Sequence, residues 1–106
     1  MEISDLAKKM DVFVHTKGWY LSGSSRPQTP RNLAISLSLE SNEVLEHFQW
    51  DENIKDRNEL ANELADVALY LFQLASVAGV DLEKAILNKL EVNAARDWDG
   101  YKRKSL

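Results

Sequence analysis

The segment from residue 67 to residue 75 is apolar almost all the way round a helix. Its sequence is Val-Ala-Leu-Tyr-Leu-Phe-Gln-Leu-Ala. A helix with one apolar stripe lies on a protein surface, whereas a helix that is apolar on nearly every side is packed by several neighbours. We therefore expect a central helix with other helices around it and with part of its surface at an interface between subunits.

Helical periodicity recurs along the rest of the chain, and turn signals interrupt it. Thr29 followed by Pro30 is a strong helix start, because the hydroxyl caps free amides and proline suits the first helical position. Gly79 suits a helix end, and Asp81 caps the next helix. Residues 20–29, rich in Ser, Gly and Pro, predict a lid or binding loop. The predicted helices cover residues 3 to about 18, 30 to about 50, 56 to 79 and 81 to about 98. We expect a single domain, residues 1–106, that is an all-α four-helix bundle.

Composition excludes several classes of protein. The formal net charge of -4 argues against general nucleic-acid binding, and the basic residues Lys102, Arg103 and Lys104 are interpreted as a solvated terminus. No apolar run approaches the roughly 20 residues that span a bilayer, so we expect no membrane partner and a cytoplasmic location. There is no cysteine for a disulfide or a thiolate zinc site. For a chain of 106 residues, a second copy would add useful apolar burial.

Two pairs of acids stand in apolar stretches of consecutive helices. Glu40 and Glu43 form one pair, and Glu63 and Asp66 form the other. The i, i+3 spacing places both acids of a pair on one face of a helix. Several buried carboxylates near one another require a cation between them, because otherwise they would take up protons. A single pair would favour an ordinary ion pair with Lys or Arg, but two pairs on neighbouring helices favour a metal site.

The type of ligand indicates the metal. Carboxylates without cysteine suit Mg²⁺ or Mn²⁺, and His47 follows Glu46 directly instead of forming the Glu-x-x-His pairs of di-iron bundles. Magnesium usually shares its coordination shell with substrate phosphates. The natural ligand is therefore a phosphate ester or a nucleotide.

These acids and the segments around them resemble a known family. The pattern Glu40-x-x-Glu43 followed by Glu63-x-x-Asp66 resembles the paired-acid signature of the all-α nucleoside triphosphate pyrophosphohydrolases, the MazG-like group that includes dCTP pyrophosphatases. Residues 29–34 (Thr-Pro-Arg-Asn-Leu-Ala), 43–50 (Glu-Val-Leu-Glu-His-Phe-Gln-Trp) and 89–96 (Lys-Leu-Glu-Val-Asn-Ala-Ala-Arg) resemble that group as well. The similarity extends from the end of the first helix to Trp98.

The resemblance implies an enzyme in which water attacks the α-phosphorus of a (deoxy)nucleoside triphosphate and releases the monophosphate and pyrophosphate. Magnesium would be held by the four acids, and the role in the cell would be to clean up the nucleotide pool. Glu43, flanked by the other acids, is our candidate for the general base. Relatives have their pockets at subunit interfaces, so the resemblance also implies a homodimer or a homotetramer.

Further residues are candidates for binding the substrate. Lys89, Asn93 and Arg96 recur at i, i+4 and i+7 on the fourth helix, where they form either a phosphate-binding stripe or an ordinary solvated face. The resemblance favours the phosphate-binding stripe. Aromatic side chains could stack on the base or could belong to the core. The candidates for stacking are His15, Trp19, Tyr70 and, as the preferred one, Trp50.

One departure from the resemblance concerns the choice of base. Relatives that hydrolyse dCTP often carry histidine two positions before the proline that corresponds to Pro30, where this chain has Gln28. An aromatic residue in their preceding loop is replaced here by Ser24 or a residue near it. Small changes in a hydrogen-bonding site redirect substrate preference, so the preferred base is left open.

Two other functions are compatible with the same residues. The chain could be a non-catalytic helical module that binds a metal, a nucleotide or a partner protein, with the acids serving metal-dependent folding. It could also hydrolyse another pyrophosphate compound, such as a phosphoribosyl nucleotide.

Overall fold

The computed structural model describes residues 2–96 and shows four α-helices. No strand occurs in that range. The all-α, four-helix prediction is therefore confirmed. The predicted end of the fourth helix at Trp98 and the basic residues Lys102, Arg103 and Lys104 lie outside the described residues. The helices are α1 (Ile3–Thr16), α2 (Pro30–Glu46), α3 (Arg57–Val77) and α4 (Leu82–Ala95).

The predicted helix starts are present as hydrogen-bonded caps. The side chain of Thr29 accepts the backbone N–H of Asn32 at 3.1 Å, with Pro30 at the first helical position. Asp81 accepts the backbone N–H of Lys84 at 3.1 Å at the start of α4. These short-range bonds satisfy amides that a helix start leaves without a partner.

Two helix ends differ from the sequence prediction. The second helix ends at Glu46 instead of near Trp50, because the chain tightens after that point. The N–H groups of Phe48 and Gln49 bond to carbonyls three residues back, at 3.0 and 3.3 Å, which is the spacing of a tighter turn. The first helix ends at Thr16, shortly before a glycine with positive φ.

Helix α3 is the central element and packs against both α2 and α1. The contacts between Gln28 and Gln73 and between His47 and Glu63 show that α2 and α3 are antiparallel, since positions that rise along one helix meet positions that fall along the other. This arrangement brings the two predicted acid pairs to the same layer. The prediction of a central third helix is confirmed.

Helix α4 turns away from α3 and packs mainly against α1. The bend between α3 and α4 is 105°, at a break where Gly79 adopts a φ of +73° that other residues rarely take. The chain is consequently elongated, measuring 55 × 36 × 27 Å. Its radius of gyration is 17.1 Å, whereas a compact domain of this length would have about 13 Å. One chain alone is therefore not a closed bundle.

The buried core is small for four helices. Its fully buried apolar residues are Met10, Val14, Leu33 and Ala75. Large apolar side chains stay exposed on α2 and α4, among them Leu39, Leu45, Leu87, Leu90 and Val92. These faces have no cover within the described part of the chain.

In residues 2–96, a single helix with the length and apolar composition needed to cross a membrane is not found. Only α3 and α4 taken together, as a bent pair, meet that test, and they do so by length and composition alone.

Candidate active site

The four predicted acids lie on α2 and α3, two helices that pack against each other. Glu40 and Glu63 are half-buried, whereas Glu43 and Asp66 are exposed. The pKa of Glu40 is raised, first by burial, then by a hydrogen bond that its protonated form donates to Glu43, and then by the negative charges of Glu43, Asp66 and Glu63. All three other acids therefore lie near enough to Glu40 for their charges to act on it.

The donor set suits a divalent cation. Oε2 of Glu40 is buried and accepts no hydrogen bond, which is unfavourable for a carboxylate unless a cation compensates it. Within residues 2–96, no three His, Asp or Glu side chains stand close enough together to hold a metal ion as placed. The exposed Glu43 and Asp66 would have to turn inward to complete a shell of oxygen ligands around an ion. Metal binding by these acids accordingly stays a prediction.

A histidine that the sequence did not single out contacts one of the acids. Nε2 of His47 lies 2.7 Å from Oε2 of Glu63, and both side chains are largely shielded from solvent. His47 follows Glu43 by four residues, so the i, i+4 spacing was the signal that placed it on the same face. This contact holds one oxygen of Glu63 in place.

A cavity of about 400 Å³ opens beside Asp66, between α1 and α3. Its lining is mostly apolar and includes Phe13, Trp19, Tyr70 and Gln73. The rings of Phe13 and Trp19 meet edge to face, with centroids 5.6 Å apart. Aromatic walls next to a carboxylate can take a flat ring whose charged portion reaches the acids.

The structure brings two of the four stacking candidates to this cavity. Trp19 and Tyr70 line it, while His15 is exposed and meets the ring of Tyr20, with centroids 4.8 Å apart. Trp50, the preferred candidate, follows the end of α2, is 86% exposed and is not among the lining residues. Its distance from the cavity follows from the early end of α2.

The three α4 candidates do not reach this cavity within one chain. Lys89 and Arg96 are exposed and Asn93 is half-buried, on a helix that contributes none of the lining residues. Within one chain α4 does not close this cavity, because the bend after α3 directs α4 elsewhere, and the role of these three residues stays a prediction.

A polar network that sequence reasoning missed surrounds Gln73, which lines the cavity. The side chain of Gln73 donates to Oε1 of Gln28, and the hydroxyl of Tyr20 donates to Oδ1 of Asp11 at 3.2 Å. Ser76 donates to Oδ2 of the same aspartate at 2.8 Å. The available signal was a single carboxamide, that of Gln73, in an otherwise apolar run.

The environment of Tyr20 shows how tightly this network is held. Burial, followed by the charge and the hydrogen bond of Asp11, raises the pKa of Tyr20 to about 12, and a hydrogen bond with Gln73 opposes that rise. The phenol is therefore kept in its protonated, donating form.

Comparison with known proteins shows which sequences this chain is similar to. The chain is 38% identical to dCTP pyrophosphatase 1 of Rattus norvegicus over an alignment 76 residues long, and the alignment covers 63% of this chain and 45% of that protein. Identity to dCTP pyrophosphatase 1 of Bos taurus is 40% over the same length, with the same shares of both chains. A dATP/dGTP diphosphohydrolase of Salmonella phage PMBT28 is 45% identical over 38 residues, 36% of this chain and 13% of that protein. This chain thus spans less than half the length of the dCTP pyrophosphatases that it matches.

The region shared with the family contains every acid of the candidate site. The MazG-like family profile matches residues 35–103, about two thirds of the chain, and so includes both acid pairs and the whole of α3 and α4. The chain therefore belongs to the MazG-like family.

Proposed function

We propose that this protein hydrolyses (deoxy)nucleoside triphosphates to the monophosphate and pyrophosphate with Mg²⁺ as cofactor, and that it serves to clean up the nucleotide pool. The observation that carries the proposal is the buried Glu40, whose Oε2 has no hydrogen-bond partner and whose neighbours on two helices are acids. A divalent cation offsets this concentration of negative charge, and a polyphosphate is the usual companion of such a cation. Relatives named for the hydrolysis of dCTP and of dATP and dGTP support the reaction.

Different residues would bind the metal, accept the proton and bind the base. Glu40, Glu43, Glu63 and Asp66 would hold the ion, which when bound neutralises the triphosphate and makes a water more acidic. Glu43 is exposed and adjacent to the other acids, so it is positioned to take a proton from the attacking water. Trp19 and Tyr70 offer the base an apolar surface beside Asp66.

We also infer a homodimer or a homotetramer. The exposed apolar residues of α2 and α4 have no cover in one chain, and association would remove that surface from water. Lys89, Asn93 and Arg96 on α4 could then approach the phosphates from a second copy. Light scattering coupled to gel filtration measures the mass of the assembly, and a strictly monomeric protein at micromolar concentration would contradict this inference.

The reaction is tested with a panel of nucleoside triphosphates in the presence of Mg²⁺. We expect the monophosphate and pyrophosphate as products, no orthophosphate, and loss of activity when EDTA removes the metal. Glu43→Ala and Asp66→Ala should abolish turnover while circular dichroism shows an intact fold. Glu46→Gln, which removes a charge from an exposed position of α2, is the matched control and should leave activity unchanged.

The same assay separates the alternatives. A non-catalytic module would bind nucleotide to saturation without releasing pyrophosphate. Full activity of either acid variant would contradict the metal assignment. Release of pyrophosphate only from a phosphoribosyl nucleotide would keep the chemistry but replace the substrate.

A further inference from the structure

Gln73 is the buried polar side chain of a mostly apolar cavity whose charged lining residues are Asp66 and Lys9. It is 4% exposed and lines the cavity together with Asp66, Trp19 and Tyr70. Gln73 follows Asp66 by seven residues, which places both on one face of α3 about 10 Å apart along the helix. That separation is comparable to the span of a nucleotide from its phosphates to the far edge of its base. A base that enters the cavity while its phosphates stay at the acids would therefore meet Gln73.

The orientation of the Gln73 amide is determined from one side by the loop before α2. Nε2 of Gln28 donates to the backbone carbonyl of Arg26 at 2.7 Å, so the carbonyl oxygen of the Gln28 side chain is the end that faces Gln73. An oxygen can only accept, and Gln73 must present its NH₂ group. One N–H of Gln73 is committed in this way.

The hydroxyl groups on the other side of Gln73 are committed to α1. Asp11 accepts the hydroxyl protons of both Tyr20 and Ser76. Neither hydroxyl therefore donates to Gln73, and the carbonyl oxygen of Gln73 is the atom with accepting capacity left for a ligand.

We propose that Gln73 is a specificity-determining residue whose carbonyl oxygen accepts a hydrogen bond from the exocyclic amino group of a cytosine or adenine base. The inference rests on the proposed function, because it takes the cavity to be the base site of a nucleotide whose phosphates lie at the acids. A uracil, thymine or hypoxanthine base would place a carbonyl oxygen against the oxygen of Gln73. Two acceptors that face each other in an apolar site leave both without a partner, which is unfavourable.

Gln28 has a different part in this arrangement. It does not line the cavity beside Asp66, and it acts on the base only through its bond to Gln73. Gln28 is thus a positioning residue that prevents the Gln73 amide from rotating and presenting its NH₂ group to the base.

The test compares substrates in which an exocyclic amino group is replaced by an oxo group and the neighbouring ring nitrogen gains a proton. The pairs are dCTP with dUTP and dATP with dITP, assayed for kcat/KM on the full chain with Mg²⁺. We expect the wild-type protein to prefer the amino member of each pair by about tenfold to a hundredfold, the size expected for one buried hydrogen bond and its mismatch. A preference for the oxo member, or no preference, overturns the proposal.

Variants assign that preference to Gln73. Gln73→Met removes the amide at similar volume and should bring both ratios close to one. Gln28→Met should lower them by a smaller factor because it only frees the Gln73 amide to rotate. Gln49→Met, at an exposed position outside the cavity, is the matched control and should keep the wild-type ratios. If Gln73 only holds the loop before α2 against α3, Gln73→Met will lower activity toward all four substrates equally. Unchanged ratios of kcat/KM between the amino and oxo substrates then overturn the proposal.

A binding measurement separates this inference from the proposed function. Calorimetric titration of the wild-type protein and of Gln73→Met with dCMP and dUMP needs no turnover. A dCMP preference that depends on Gln73, in a protein that hydrolyses nothing, supports the base contact and refutes the reaction. Equal binding of dCMP and dUMP to the wild-type protein, or no binding of either, overturns the contact even if triphosphates are hydrolysed.

Discussion

Replacing Glu40 by glutamine should have opposite effects on stability with and without magnesium. Glu40 is half-buried, its Oε2 accepts no hydrogen bond, and three other acids raise its pKa. Glu40→Gln keeps the shape of the side chain and removes its charge. In the absence of metal, the variant relieves repulsion and should be more stable than the wild-type protein.

The size of the effect follows from the burial of that oxygen. A buried polar atom without a partner costs about 1–3 kcal/mol, and it costs more when the group is charged. Glutamine still leaves one atom without a partner but removes the charge, so we expect the variant to gain only this difference, about 1 kcal/mol. For a domain of this size, 1 kcal/mol corresponds to a rise in Tm of about 4–8 °C. Magnesium should stabilise the wild-type protein by about 2.7 kcal/mol at about 100 times Kd and should stabilise the variant far less. The order of the two melting temperatures is therefore expected to reverse.

Thermal unfolding followed by circular dichroism measures both effects. The two proteins are melted in EDTA and then in increasing MgCl₂, with potassium chloride adjusted to a constant ionic strength so that general screening of charge does not contribute. Glu46→Gln removes a charge from an exposed site of the same helix and should follow the wild-type protein in both conditions. The reasoning is refuted if Glu40→Gln melts below the wild-type protein in EDTA, or if magnesium raises the two Tm values equally.

Three further predictions concern the fold. Because the pKa of Tyr20 is raised from 10.0 to about 12, the folded state keeps a proton that the unfolded state loses. The stabilisation by Tyr20 should therefore be intact below pH 10 and should be lost as the pH rises toward 12. Ultraviolet titration should show one tyrosine that ionises later than the others and that is missing in Tyr20→Phe. If the late-ionising tyrosine persists in that variant, its assignment to Tyr20 is wrong. Leu33 is 2% exposed, so Leu33→Ala should lower the free energy of unfolding measured in urea by about 3 kcal/mol. Leu45 is 67% exposed on the same helix, so Leu45→Ala should lower it little at concentrations where the protein is monomeric. Equal losses for the two variants would contradict this prediction. Gly79→Ala should lower the free energy of unfolding by about 1 kcal/mol because Gly79 has a positive φ, although an added Cβ would contact nothing. Gly23 is equally open but has no positive φ, so Gly23→Ala should leave the stability unchanged. An equal loss for both variants would contradict the role given to φ.

Local signals predicted the helices well because the forces that begin and end a helix are local. Thr29 and Asp81 cap amides within three residues of themselves, so their effect can be predicted without knowing the fold. The periodic acids were equally informative, since i, i+3 spacing puts Glu40 and Glu43 on one face of α2 whatever surrounds it.

The direction of α4 and the role of Gln73 depended on distant contacts. The bend at Gly79 could be placed in the sequence, but its 105° angle depends on how the start of α4 packs against α1. Gln73 lies in an apolar run, and its importance comes from Gln28, 45 positions away in sequence. The place of Trp50 depends on the turns that follow the end of α2 at Glu46, where its side chain is exposed and does not line the cavity.

Helix α3, which is apolar on nearly every side, takes part in each of the proposed binding events. Helices α1 and α2 cover two sides of α3, and Leu64, Leu69 and Leu71 stay partly exposed on the remainder. The same helix carries Asp66, the proposed metal ligand, and Gln73, the proposed contact to the base. If a second copy covers the exposed leucines, then metal, nucleotide and subunit all bind surfaces of one rigid element. Each would stabilise the same ordered state of α3, and by linkage each would strengthen the binding of the other two.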